Sequence, residues 1–120
     1  MILIKDDEFI RCNSPMTKED IRALSIWKMN LKENSTVLDV GSGTGTITVQ
    51  ASKISSNGVV YSIERDEDAI STTKINLDKF DCTNVILDEG DAVEILEKYI
   101  KEDKRFDSIF VGGSGGSLEK

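Results

Sequence analysis

Four short apolar runs recur along the chain: Val37-Leu38 with Val40, Val59-Val60-Tyr61-Ser62-Ile63, Val85-Ile86-Leu87, and Phe106-Asp107-Ser108-Ile109-Phe110-Val111. Their starts lie about 23 residues apart, and each run is too short for a helix but suits a strand covered on both faces. Between them the chain reads as helical. Ile47, Val49, Ala51 and Ile54 mark one helix, Ala69, Ile70, Thr73, Ile75, Asn76 and Leu77 a second that continues to Phe80, and Ala92–Ile100 a third. Ahead of the first strand, Ile21, Leu24, Trp27, Met29 and Leu31 form a largely helical stripe. Thr17 followed by Asp20 is a capping-box variant, so a helix is expected to start at Thr17 and pack Ile21, Leu24 and Trp27 on the sheet. Strands alternating with helices imply right-handed crossovers and a parallel, doubly wound α/β sheet. Residues 1–16 read as an extended arm with a turn at Asn13-Ser14-Pro15, and residues 17–120 as one domain.

Composition narrows the class. With 38% hydrophobic and 31% charged residues, the 120-residue chain is that of a globular α/β domain, and no apolar run approaches membrane-spanning length. Met1-Ile2-Leu3-Ile4 is too short for the apolar core of a signal peptide. Cys12 and Cys82 lie far apart and His is absent, which argues against a zinc site or a disulfide framework and fits a reducing cytoplasm. The net charge of −7 argues against a nucleic-acid partner.

The richest chemistry follows the first strand, in Asp39-Val40-Gly41-Ser42-Gly43-Thr44-Gly45. Alternate glycines let the backbone turn sharply and approach a ligand closely, and a helix beginning near Thr44 would present free N–H groups there. The dinucleotide fingerprint needs its third glycine one residue later, where Thr46 stands. Asp39 would repel a pyrophosphate and favour a cation. S-adenosylmethionine carries an ammonium and a sulfonium and no phosphate. The pattern D-x-G-x-G-x-G accordingly resembles motif I of the Rossmann-like methyltransferases.

Two further strand ends carry acids. Glu64 closes the second strand about 20 residues beyond the loop, where such sheets place an acid against ribose hydroxyls. Asp91 follows Gly90 after the third strand and suits the N-cap of the next helix; beside an adenine it could instead accept from the exocyclic amine while Ala92 abuts the ring. Gly112-Gly113-Ser114-Gly115-Gly116 follows the fourth strand. It reads either as a flexible linker or as a nest of backbone N–H groups for a carboxylate.

Taken together, Pro15-Met16-Thr17-Lys18-Glu19, V-L-D-V-G-S-G-T-G, I-E-R-D, the G-D-A at 90–92 and F-V-G-G-S-G-G resemble the decarboxylating cobalt-precorrin carbon-15 methyltransferases of cobalamin biosynthesis, over nearly the whole chain. The resemblance favours the nest over the linker. It implies a class I methyltransferase fold, S-adenosylmethionine as cofactor, and contacts to it from Thr17, Gly41, Ser42, Gly43, Thr44, Gly45, Glu64 and Ala92. It further implies a cobalt-precorrin substrate methylated at a ring carbon with loss of an acetate carboxyl, no metal, no membrane and a homo-oligomer, a tetramer. Residues 112–116 would bind substrate, with Arg11 and Lys18 as candidate cations, while no catalytic residue is assigned. The family's sheet runs in the order 3-2-1-4-5 and continues past the fourth strand, so C-terminal strands are expected beyond Lys120. Readings from other classes are an RNA methyltransferase, a nucleotide-dependent oxidoreductase, and a non-catalytic fragment that binds the methyl donor.

Overall fold

A computed structural model describes residues 3–13 and 16–112. Among them, strands and helices alternate as α1 (Glu19–Met29), β1 (Thr36–Val40), α2 (Thr46–Ile54), β2 (Val59–Glu64), α3 (Glu67–Lys79), β3 (Val85–Glu89), α4 (Ala92–Lys101) and β4 (Ser108–Val111), after a 3-10 turn at Asp6–Glu8. All strand pairs are parallel, in the order β3-β2-β1-β4. The chain winds outward from β1 through α2 and α3, then returns through α4 to pair β4 on the other side of β1. Right-handed crossovers therefore put α4 on the face opposite α2 and α3.

Each face has its own core. Ile26, Val37, Ile47, Ala51 and Val60 pack on the α2 side with Met29, Leu31, Ile54, Val85 and Phe110. On the α4 side, Leu38, Val40, Ile63 and Tyr99 pack with Tyr61, Ala92, Ile95, Leu96 and Phe106. Tyr61, Tyr99 and Phe106 form a ring cluster with centroids 5.6 to 5.8 Å apart.

The parallel α/β sheet matches the expectation, but α1 departs from it in two ways. Its N-cap is Lys18, without a side-chain cap bond, so Thr17 is not the cap. Its buried residues are Arg22 and Ile26, whereas Ile21, Leu24 and Trp27 are 59%, 52% and 77% exposed. One cause accounts for both. Fully buried Arg22 donates through Nη1 to Asp6 (3.1 Å) and to the Thr17 carbonyl (2.9 Å), and through Nη2 to the Ile4 carbonyl, with its guanidinium over the Phe9 ring. Positions 22, 26 and 29 share one side of a helix, which turns 24 and 27 away from the sheet. The described part of the arm is thus pinned to the domain through an arginine.

Candidate functional site

Parallel pairing brings the carboxyl ends of all four strands to one edge, and with them the segments 41–45, 64–66, 90–92 and Gly112. The first of these is a tight loop. Gly41, Gly43 and Gly45 have φ of 78°, 57° and 92°, a backbone region that side chains disfavour. The positive φ of Gly45 also explains why α2 starts at Thr46 and not at Thr44, since Gly45 stands outside the helix as its N-cap. A Cβ on Gly45 would lie 3.2 Å from Thr73, which supports the loop from α3 by donating to the Gly43 carbonyl (2.9 Å). Ser42 and Thr44 are buried, with Ser42 Oγ 3.3 Å from Thr73 Oγ1.

Glu64 reaches into this loop. Its Oε1 accepts from Gly43 N–H (2.8 Å) and its Oε2 from the N–H groups of Arg65 and Asp66 (both 3.1 Å). The Glu64 carbonyl accepts from Gly90 N–H (2.9 Å), which holds the 90–92 turn beside it. Asp91 is the N-cap of α4, accepting from Glu94 N–H (3.1 Å), and stands 3.9 Å from Arg65 in an exposed pair. Ala92 opens that helix and packs on the α4-side core.

Asp39 lies underneath. It is 1% exposed, its Oδ2 accepts from the Thr48 hydroxyl (2.5 Å), and its Oδ1 is buried without a hydrogen-bond partner among the described residues. Burial, reinforced by the negative charge of Glu64, raises its pKa to about 7 against the opposing effect of the Thr48 bond. A buried acid with an orphaned oxygen, set below a loop that already holds a second carboxylate, makes the edge electronegative.

Two other segments reach the same edge. The Thr17 carbonyl accepts from the hydroxyl of Thr46, the first residue of α2 (3.3 Å), so the segment leading into α1 is drawn against the loop. Gly112 N–H donates to the Val40 carbonyl (2.8 Å), and a Cβ on Gly112 would fall 2.9 Å from the Gly41 carbonyl oxygen. Gly113, Ser114, Gly115 and Gly116 lie outside the described residues, as does Pro15. Arg11 and Lys18 are exposed.

Sequence reasoning overlooked Thr48, Thr73 and Asn76, which support the site from α2 and α3. The available signal was polar residues at inward helical positions, since all three are buried. Asn76 Nδ2 donates to the Thr44 carbonyl at 2.9 Å. No group of His, Cys, Asp and Glu among the described residues could hold a metal ion, and no described helix is long and apolar enough to cross a membrane.

A family model described as a methyltransferase domain matches residues 31–114. A probable cobalt-precorrin-6B C(15)-methyltransferase (decarboxylating) of Sulfurisphaera tokodaii is 44% identical over 113 residues, which cover 92% of this chain and 57% of that protein. The crystal structure of precorrin-6y C5,15-methyltransferase from Geobacter metallireducens superposes with a TM-score of 0.87 at 35% identity, covering 98% of this chain and 61% of that one. Precorrin 8w decarboxylase of Methanobacterium thermoautotrophicum gives a TM-score of 0.86 at 39% identity, over 97% of this chain and 61% of its own. The chain thus spans between half and two-thirds of the length of these relatives.

Proposed function

The chain belongs to the methyltransferase domain family, and on that premise we propose that it binds S-adenosylmethionine at the carboxyl edge of the sheet and serves methyl transfer to a ring carbon of a cobalt-precorrin. One observation carries the cofactor reading: the Gly43 N–H, a donor that a pyrophosphate would require, is held by the Glu64 carboxylate at 2.8 Å. A phosphate there would meet the Glu64 charge directly, with the Asp39 charge added above its raised pKa, whereas a cation is favoured by both. The glycine loop also fits, because three positive-φ glycines, one with its Cβ position closed off by Thr73, hold the backbone in a tight turn that can approach a ligand closely.

In this reading Glu64 accepts from the ribose hydroxyls, Asp91 and Ala92 face the adenine, and Gly41–Gly45 with Thr17 enclose the methionine part. When bound, the cofactor supplies an electrophilic methyl group on sulfonium. The protein's own share is to orient the acceptor carbon and exclude water, a contribution that reaches several kcal/mol in well-oriented reactions. The precorrin acceptor, with loss of an acetate carboxyl as carbon dioxide, is drawn from the relatives' names and from the likeness over nearly the whole chain. An acidic protein must still hold an acidic tetrapyrrole. Residues 112–116, Arg11 and Lys18 are the groups assigned to that task.

Calorimetry with S-adenosylhomocysteine and with NAD tests the cofactor: tight binding of the first and none of the second is expected, and the reverse overturns the reading. The substrate class is tested by incubating the full-length protein with cobalt-precorrin and labelled methyl donor while following product mass and carbon dioxide. Methylation without carbon dioxide release would refute the coupled decarboxylation, and methylation of RNA instead would refute the substrate class.

A further inference from the structure

We propose that Asn76 joins the N-terminal arm to the cofactor loop, so that docking of the arm and binding of ligand in that loop are thermodynamically coupled; the inference rests on the reading of 41–45 as the S-adenosylmethionine site. Asn76 lies on the inward side of α3 and is fully buried. Its Oδ1 accepts from Ile10 N–H (2.9 Å), while its Nδ2 donates to the Ile10 carbonyl (3.0 Å) and to the Thr44 carbonyl (2.9 Å). Both amide protons and the acceptor are therefore used, and only one orientation of the amide satisfies all three partners. Two of those partners belong to the arm and one to the loop.

Such a joint transmits. If the arm leaves, a buried acceptor and a buried N–H lose their partners, and the amide is freed to turn away from Thr44. If the loop shifts, the same amide no longer matches Ile10. Besides its bonds to Arg22 of α1 and Gln50 of α2, the arm runs along α3, where Asn13 N–H donates to Asp68 (3.0 Å), Phe9 packs on Phe80 with ring centroids 5.2 Å apart, and Lys79 Nζ donates to the Glu8 carbonyl; Cys12 Sγ lies 4.0 Å from Thr44 Oγ1 of the loop. The α3 contacts dock the arm on the helix, and the Cys12–Thr44 contact is a weak sulfur one, whereas Asn76 bonds the backbone of both arm and loop at 2.9 to 3.0 Å. Coupling between two sites is reciprocal, so a ligand that orders the loop also holds the arm.

Hydrogen exchange over residues 4–13, with and without S-adenosylhomocysteine, reads the coupling in the full-length protein. In the unaltered protein the ligand should slow exchange of the arm several-fold. In Asn76→Ala, affinity measured by calorimetry should fall about tenfold, and the ligand's effect on the arm should vanish while exchange in β1 and β2 stays as it was. Ile10→Pro provides a second route that leaves the core intact, because it removes the N–H that Asn76 accepts from; Phe9 already has φ −87° and ψ 142°, suitable for a residue before proline. It should act in the same direction. Binding with an arm indifferent to ligand in the unaltered protein, or unchanged affinity in both variants, overturns the coupling alone. A protein that does not bind S-adenosylhomocysteine overturns the cofactor reading and the coupling with it.

Discussion

The two faces of the sheet are built from different materials. Against α4, Leu38, Val40 and Ile63 meet a cluster of aromatic rings, and cohesion comes from apolar burial without direction. Against α2 and α3, the buried set includes Thr46, Thr48, Gln50, Ser52, Thr72, Thr73 and Asn76, several of them bonded to the loop or to Asp39. Hydrogen bonds are directional, so the polar groups of this second layer fix where the glycine loop stands, while apolar burial on both faces supplies cohesion. The face opposite the site is thus predominantly apolar, while the face that holds it mixes apolar packing with directed bonds.

Leu38→Ala strikes the apolar face and should cost about 2–5 kcal/mol in unfolding free energy, measured with denaturant, with unchanged S-adenosylhomocysteine affinity in the folded molecules. Affinity that collapsed together with stability would erase the distinction between the faces. Glu64→Ala should do the opposite, weakening ligand binding by about 1–3 kcal/mol with a small effect on unfolding. Unchanged affinity would remove the ribose assignment.

Asp39 makes the polar layer sensitive to pH. Its pKa is raised from 3.8 to about 7, so between those values the folded chain holds a proton that the unfolded chain has lost. This group's contribution to stability therefore falls as pH rises through that window, by up to about 1.4 kcal/mol per pH unit, and levels off above it. Denaturant titrations at several pH values should show a shallower slope in Asp39→Asn; an identical slope would refute the assignment. Above the window the charged Asp39 should favour the sulfonium ligand over neutral S-adenosylhomocysteine. The smallest effect is expected for Tyr99→Phe, which loses the bond from Tyr99 to Asp88 behind the other face. It should cost about 1 kcal/mol of stability and leave affinity alone, and any change in ligand binding would mean that the faces communicate.

Much of the site's framework was legible because its signals are local. An apolar run ending in alternate glycines has few conformations open to it, and acids at strand ends follow from spacing, so β1, its loop, Glu64 and the Asp91 cap were all found from neighbours in the chain. What escaped depends on contacts between distant segments. Arg22 drew no notice, since nothing in a helical stripe announces that the carbonyls of Ile4 and Thr17 will require a donor. Its burial then turned Leu24 and Trp27 outward, against their hydrophobicity. Asn76 was read only as a residue continuing α3 because one of its partners lies 66 positions away in the arm.

The outward turn of α1 also sets what light can reveal. Trp27 is the chain's single tryptophan, and it stands 77% exposed. An indole already bathed in water emits much the same before and after the chain melts, so its fluorescence will be nearly silent during unfolding. The optical signature of the native packing belongs to Tyr61, Tyr99 and Phe106, in the near-ultraviolet dichroism of a ring cluster that exists only when the sheet does. The indole watches a different event: its emission moves to the blue when another surface settles on the outer side of α1.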